Sequence, residues 1–501
     1  MLAEESRRAQ CRERKQMRRL VSSSSSIESS ALAVLLAVCA LPSCGQRLLG
    51  TLPSDAGREG SASEAKDASD TRDAGAGDGD TSDGDAGHGD TADAADTADA
   101  AAPRVVQVVT GTVHTCARTD DGRVRCWGTS SNGELGYGNT TTIGDDELPI
   151  VAGDVPLGAP ALQLAAGGHH TCAWLATGAV TCWGLGINGD LGYGNLDNVG
   201  DRAPANGAPV AIGDSGDTVT ALALGREHSC ALLDGGRVRC WGNNTAGQCG
   251  YATPAVIGDD ETPASAGDVD VGGTVVQLAA GYDHTCARLA SGAIRCWGAS
   301  SSGQLGYGTT QPAALPPSAA GDVDLGAPAL DISAGGLHTC AVLAPDRTVR
   351  CWGDDSYGQL GYGSTQSYGG SAPPAAAPPP LTLFGAATEI HAGGLHTCAL
   401  DAGFVTCWGR MLVDGALTNI GDTARVDGAT PYVTVGPPAT AIATAHWHSC
   451  ALTGAGGVRC WGMGQVSTLA PLGGGAGWLG YGNALDILDP SRTGAGDVHV
   501  F

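Results

Sequence analysis

The chain has 501 residues, with 52 Asp plus Glu against 27 Lys plus Arg, 79 glycines and only three phenylalanines. So acidic a chain lacks the basic stripe on which DNA or RNA binding rests, and anionic membrane surfaces are disfavoured on the same ground. Abundant glycine with little aromatic volume favours tight turns and paired backbone over helix.

At the N-terminus, Ala31 to Leu41 is an apolar run behind Arg18 and Arg19, of signal-peptide length and too short to span a bilayer. Leu41-Pro42-Ser43-Cys44 follows it and resembles the lipobox of bacterial lipoproteins, although Pro42 is an uncommon occupant. The resemblance implies export and lipidation at Cys44; plain secretion with cleavage elsewhere is the alternative. Met17-Arg18-Arg19 makes a normal charged start. Residues 1–44 are read as an upstream segment plus signal. Residues 45–103 are an Asp-, Ala- and Gly-rich acidic linker with no apolar period, unable to bury enough surface to fold and extended by its own charge.

From residue 104 to 501 one phrase recurs seven times, written in the second copy as His170-Thr171-Cys172-Ala173, a turn, then Val180-Thr181-Cys182-Trp183-Gly184. Trp127, Trp183, Trp241, Trp297, Trp352, Trp408 and Trp461 mark the copies at the spacing of one small sheet. In the fourth copy, Val275–Gly281, His284–Leu289 and Ala293–Gly298 read as three strands, with Ser291-Gly292 as a hairpin. The corner Gly303-Gln304-Leu305-Gly306-Tyr307-Gly308 follows, and Gly321-Asp322-Val323-Asp324-Leu325 completes a four-stranded antiparallel blade. The final Gly496-Asp497-Val498-His499-Val500-Phe501 copies that last segment, whereas the first unit starts directly at Val105. The C-terminal strand is therefore expected to join the first blade and close the ring, leaving no long unpaired edge.

Gly-x-x-His-Thr-Cys-Ala, Val-x-Cys-Trp-Gly and Gly-Gln-Leu-Gly-Tyr-Gly together resemble the repeat of the regulator of chromosome condensation family. The resemblance implies an all-β, seven-bladed β-propeller that binds through blade-edge loops. It implies little about partner, since members include a nucleotide-exchange factor, a light receptor and a secreted enzyme inhibitor. Nucleotide exchange is the weakest inheritance, because export separates this chain from cytoplasmic GTPases.

Fourteen cysteines fall in seven local pairs: Cys116 with Cys126, Cys172 with Cys182, Cys230 with Cys240, Cys286 with Cys296, Cys340 with Cys351, Cys398 with Cys407, and Cys450 with Cys460. A hairpin centred on Asp121 places Cys116 opposite Cys126, within reach of a bridge. Seven disulfides are therefore expected, in keeping with export and a core poor in large side chains. The sharper alternative is a Cys2His zinc set per unit, built with the repeated histidine, but no fourth ligand recurs. Cys249 stands where other copies have leucine and reads as a small buried hydrophobe.

His114, His170, His228, His284, His338, His396 and His448 recur once per copy, which points to a structural hydrogen bond. A binding site must break that symmetry. Between the repeated glycine and the histidine the copies diverge, and Arg226, Glu227, Tyr282, Asp283, His446 and Trp447 give an aromatic and ionic mixture suited to ligand contact. Glu227 and Asp283 also form a possible carboxylate pair for glycoside chemistry, although no hydrolase motif surrounds them. The acidic turns Asp145-Asp146-Glu147 and Asp259-Asp260-Glu261 lack alternating calcium ligands and read as solvated turns. No catalytic residue, metal or cofactor is assigned. The expectation is a monomeric envelope or extracellular module that binds a protein or glycan and touches membrane only through its lipid; a secreted carbohydrate-active hydrolase or lyase is the alternative.

Overall fold

Runs such as Val275–Ala280 and His284–Leu289 are too short for helix, carry β-branched or small residues, and end at glycine, so each repeat folds as an antiparallel meander. The computed structural model describes residues 103–501 apart from 215, 314, 414–415, 437, 464–478, 480 and 482–496. Cys44, the signal segment and the acidic linker up to residue 102 lie outside the described residues. No helix among the described residues is long and apolar enough to cross a membrane.

The described chain is all-β, with seven successive antiparallel sheets. Sheet one holds β1 (Val105–Thr110), β2 (His114–Thr119) and β3 (Val124–Gly128), and sheet two β4 (Ala161–Ala166), β5 (His170–Leu175) and β6 (Val180–Gly184). Sheet three holds β7 (Val219–Leu224), β8 (His228–Leu233) and β9 (Val238–Gly242), and sheet four β10 (Val275–Ala280), β11 (His284–Leu289) and β12 (Ile294–Gly298). Sheet five holds β13 (Ala329–Ala334), β14 (His338–Leu343) and β15 (Thr348–Gly353). Sheet six holds β16 (Ala387–Ala392), β17 (His396–Asp401), β18 (Phe404–Val413) and β19 (Ala416–Ile420), and sheet seven β20 (Ala439–Thr444), β21 (His448–Thr453) and β22 (Val458–Gly462).

The expected four-stranded blade needs correction, because among the described residues six sheets have three strands and only sheet six has four. The segment read as the fourth strand lies along the third but makes little ladder. In sheet four, Val323 N–H donates to Ile294 O at 2.8 Å, while Val323 and Leu325 are buried. In sheet three the corresponding Val269 takes a bond from Val271 N–H at 2.9 Å, and so tight a turn bends the segment off the register of β9. The fourth strand of sheet six is a different element, a hairpin standing where the other copies have the glycine-rich corner.

The C-terminal segment is a second correction. Val498 N–H donates to Val458 O at 2.7 Å, so it docks on sheet seven, and sheet one takes the equivalent Val155, whose N–H donates to Val124 O at 2.8 Å. Each unit therefore already contains its own docking segment, and the first is missing nothing. Only the last residues reach sheet one: Arg125 Nη1 donates to Val500 O at 2.6 Å, and its guanidinium lies 4.5 Å from the Phe501 ring centroid.

All seven cysteine pairs are disulfides across the second and third strands, with Cα atoms 4.0 to 4.1 Å apart. The zinc alternative fails on this geometry, since each sulfur is bonded to its partner and each histidine turns away to the next sheet. Cys249 is fully buried and its thiol pKa is raised well above normal by that burial.

One hydrogen-bond set holds each seam. Histidine Nε2 meets the Thr or Ser hydroxyl of the following sheet at 2.7 to 3.0 Å, from His114 with Thr171 through His396 with Ser449, and His448 returns to Thr115. In five seams that hydroxyl donates onward to a corner carbonyl, as Thr285 does to Gln248 O at 2.8 Å. Its proton is thus committed, so Nε2 must carry the imidazole proton. The same carbonyl accepts the buried Trp Nε1 of the following sheet at 2.9 Å, as Trp297 donates to Gln248 O.

Candidate binding site at the channel mouth

The first strands of all seven sheets surround a cavity of about 440 Å³. Neighbouring first strands touch in succession, β20 against β1 included. The turn after each first strand forms one rim, where a shallow cavity of about 80 Å³ is lined by the repeated glycines with Arg226, Tyr282 and His446. The six residues expected at the site meet along this rim.

Tyr282 from sheet four and His446 from sheet seven stack with centroids 5.5 Å apart and planes 8° apart, and Trp447 lies 4.2 Å from His446. Two glycines make the stack possible. A Cβ at Gly394 would lie 2.6 Å from His446 Nδ1 and 2.7 Å from Tyr282 Oη, and one at Gly336 would lie 3.2 Å from Tyr282 Cε2. Arg226 packs its guanidinium 5.4 Å from the Tyr282 ring centroid, and its Nη2 lies 3.2 Å from both Asp283 oxygens. Its Nε is 3.8 Å from Glu227, which also accepts from Asn243 Nδ2 at 3.1 Å.

Burial, then the Arg226 charge, lowers the His446 pKa to about 4, so the ring is neutral at physiological pH. Burial raises the Asp283 pKa against the opposing effect of Arg226. Both carboxylates are committed to protein donors, which suits positioning of Arg226 and gives no specific support to a glycosidase pair.

Sequence reading missed Arg410, whose guanidinium lies 4.6 Å from the Tyr357 ring centroid and whose N–H donates to Leu395 O in the same set of turns. Beside it, Met411 and Leu412 share a small cavity with Trp447. The available signal was the loss of the glycine-rich corner after Trp408. The two acidic turns each gather three carboxylates within 4.8 Å, and burial, with Asp146 and Asp145 nearby, pushes the Glu147 pKa up to about 7.

Repeated antiparallel blades around one cavity, with a rim that varies from copy to copy, define a blade-repeat protein of the propeller class. The chain belongs to the RCC1-like domain family, whose model matches residues 75–374. Sheets six and seven lie beyond that stretch, yet they carry the same disulfide and histidine bond. The chain is similar to the ultraviolet-B receptor UVR8 of Arabidopsis thaliana, 29% identical over 264 residues, covering 52% of this chain and 56% of the receptor. It is also similar to the probable E3 ubiquitin-protein ligase HERC3 of Homo sapiens, 32% identical over 212 residues, covering 41% of this chain and 18% of HERC3. The chain thus matches about half or less of each relative's length. Among solved structures, Prp20p of Saccharomyces cerevisiae shares the fold with a TM-score of 0.55 and 22% identity, over 77% of this chain and 86% of that one.

Proposed function

We propose that the seven sheets close into one seven-bladed propeller, carried out of the cytoplasm by the N-terminal signal and held by lipidated Cys44, and that its rim binds a protein partner. Seven disulfides support an oxidising location. The observation that carries the binding reading is the Tyr282–His446 stack across the mouth, flanked by Trp447 and Arg226. Aromatic and arginine side chains dominate protein interfaces, and here they occupy a rim already fixed by the sheets, so little ordering entropy is lost on docking.

The test is crosslinking of the full chain in its native envelope followed by mass spectrometry. Contacts should map to Arg226, Tyr282, Asp283 and His446-Trp447, and Trp447→Ala should weaken capture about tenfold or more. Contacts confined to the opposite rim would discard the assignment. Turnover of a glycan panel would replace it with the hydrolase or lyase reading.

A further inference from the structure

Sheet six and the segment leading into it depart from the repeat at one more place, around the β17–β18 turn at the end of the hairpin opposite the mouth turns. Two of the chain's three phenylalanines and one tyrosine stand exposed there: Phe384 at 72%, Tyr432 at 52% and Phe404 at 39%. Phe404 lies between the others, with centroids 5.8 Å from Phe384 and 4.8 Å from Tyr432. Exposed aromatic surface disfavours a soluble state, so its clustering calls for an occupant.

Comparison of the copies makes coincidence a poor account. Phe384 stands where five copies have glycine, at Gly158, Gly213, Gly272, Gly326 and Gly436. The other exception, Phe501, is packed under Arg123 and Arg125. Phe404 stands where other copies have Arg123, Ala179, Arg237, Ala293, Thr348 and Gly457. Tyr432 replaces an aspartate that four copies pair with arginine at 2.7 to 2.8 Å: Asp154 with Arg125, Asp268 with Arg239, Asp322 with Arg295, and Asp497 with Arg459. In sheet six the arginine position is Thr406. Three separate repeat positions have thus become aromatic where the end of the segment docked on sheet five meets the β17–β18 turn and the docking segment of sheet six, and the surface ion pair is absent there.

We infer that this patch is a saccharide-binding site that takes the apolar face of a neutral pyranose. The rings touch one another, which leaves no room for a cation among them, so the ligand must lie over them. Their exposed area is roughly 250 to 400 Å², taking about 150 to 250 Å² for a whole aromatic side chain, and this is well below the roughly 800 Å² per partner of a standard protein interface. Polar groups adjoin them. The loop bordering the patch lines an open hollow of about 460 Å³ with Asn419, Asp422, Thr423, Arg425, Asp427 and Thr430, and Gly428 lies against the Phe384 backbone. Rings for the C–H face of a sugar stand beside donors and acceptors for its hydroxyls, and the two carboxylates disfavour an anionic sugar.

The experiment is isothermal titration of the full-length protein with cellohexaose, chitohexaose and maltohexaose. At least one should bind. Phe384→Ala and Tyr432→Ala should each weaken it about tenfold, the loss expected for one stacked ring. Phe384→Tyr should restore binding, and Trp447→Ala at the distant rim should leave it unchanged. High exposure of Phe384 and Tyr432 keeps these variants folded, as circular dichroism would verify. Failure of all three sugars at millimolar concentration, or equal binding by the Phe384→Ala, Tyr432→Ala double variant, would overturn the inference. So would loss of binding in Trp447→Ala alone, which would move the sugar to the rim.

Discussion

The seven repeated histidines are buried without charge, and that single fact sets the acid response of the protein. Their pKa values are lowered to about 3 or 4, primarily by burial. Unfolded, each would titrate near 6.5, so below that pH the unfolded chain binds more protons and the fold loses stability as pH falls toward 4. Each histidine contributes up to about 1.4 kcal/mol per pH unit in that window. Raised carboxylates such as Asp190 and Asp355 act in the opposite sense, their stability being lost as pH rises, but they are fewer than the histidines. Denaturant midpoints should therefore fall steeply between about pH 6.5 and 4.5; a flat profile would mean the seam histidines are not held neutral. A single His284→Ala change removes the donor to Thr339 and opens a cavity, and should lower stability by about 2 to 3 kcal/mol.

At the level of the element, each meander is clamped by a short loop. A disulfide closing about ten residues restricts the unfolded chain by roughly 2 to 3 kcal/mol before native strain is considered. Intact mass should show fourteen hydrogens fewer than the reduced chain from the seven pairs. Reduction should lower the melting temperature sharply, and Cys249 should resist alkylation until unfolding. The C-terminal segment is the other decisive element, because it covers β22 and also reaches Arg125. Removing Gly496–Phe501 should destabilise the junction of sheets seven and one and expose an edge that self-associates, visible as a lower melting temperature and larger species in size-exclusion chromatography. The sequence displayed this segment as a repeat but not its attachment. Its pattern is the same whether it docks on its own sheet or the next, and only the bond to Val458 distinguishes them.

Across the whole molecule, local periodicity and long-range assembly divide the information between them. The acidic turns test one global expectation: if they are solvated turns, melting should be indifferent to calcium or chelator, whereas a calcium-dependent rise would assign them a ligand. The rim was legible as a set of divergent positions, since symmetry breaking shows in any alignment of the copies. That Tyr282 stacks on His446 was not, because they belong to repeats far apart in sequence. The aromatic patch beside sheet six went unread for a different reason: its rings are near in sequence but occupy three different positions of the repeat, and only the folded turns bring them together. What the sequence determined unaided was the number of units, the sulfur pairing within each, the buried tryptophans and the histidine at every seam, because the sulfur pairs lie inside one hairpin and the other contacts recur identically between every copy and its neighbour. Tertiary structure alone decided which divergent residues meet and where the last segment docks, because those contacts exist only after distant sheets have packed around a shared cavity.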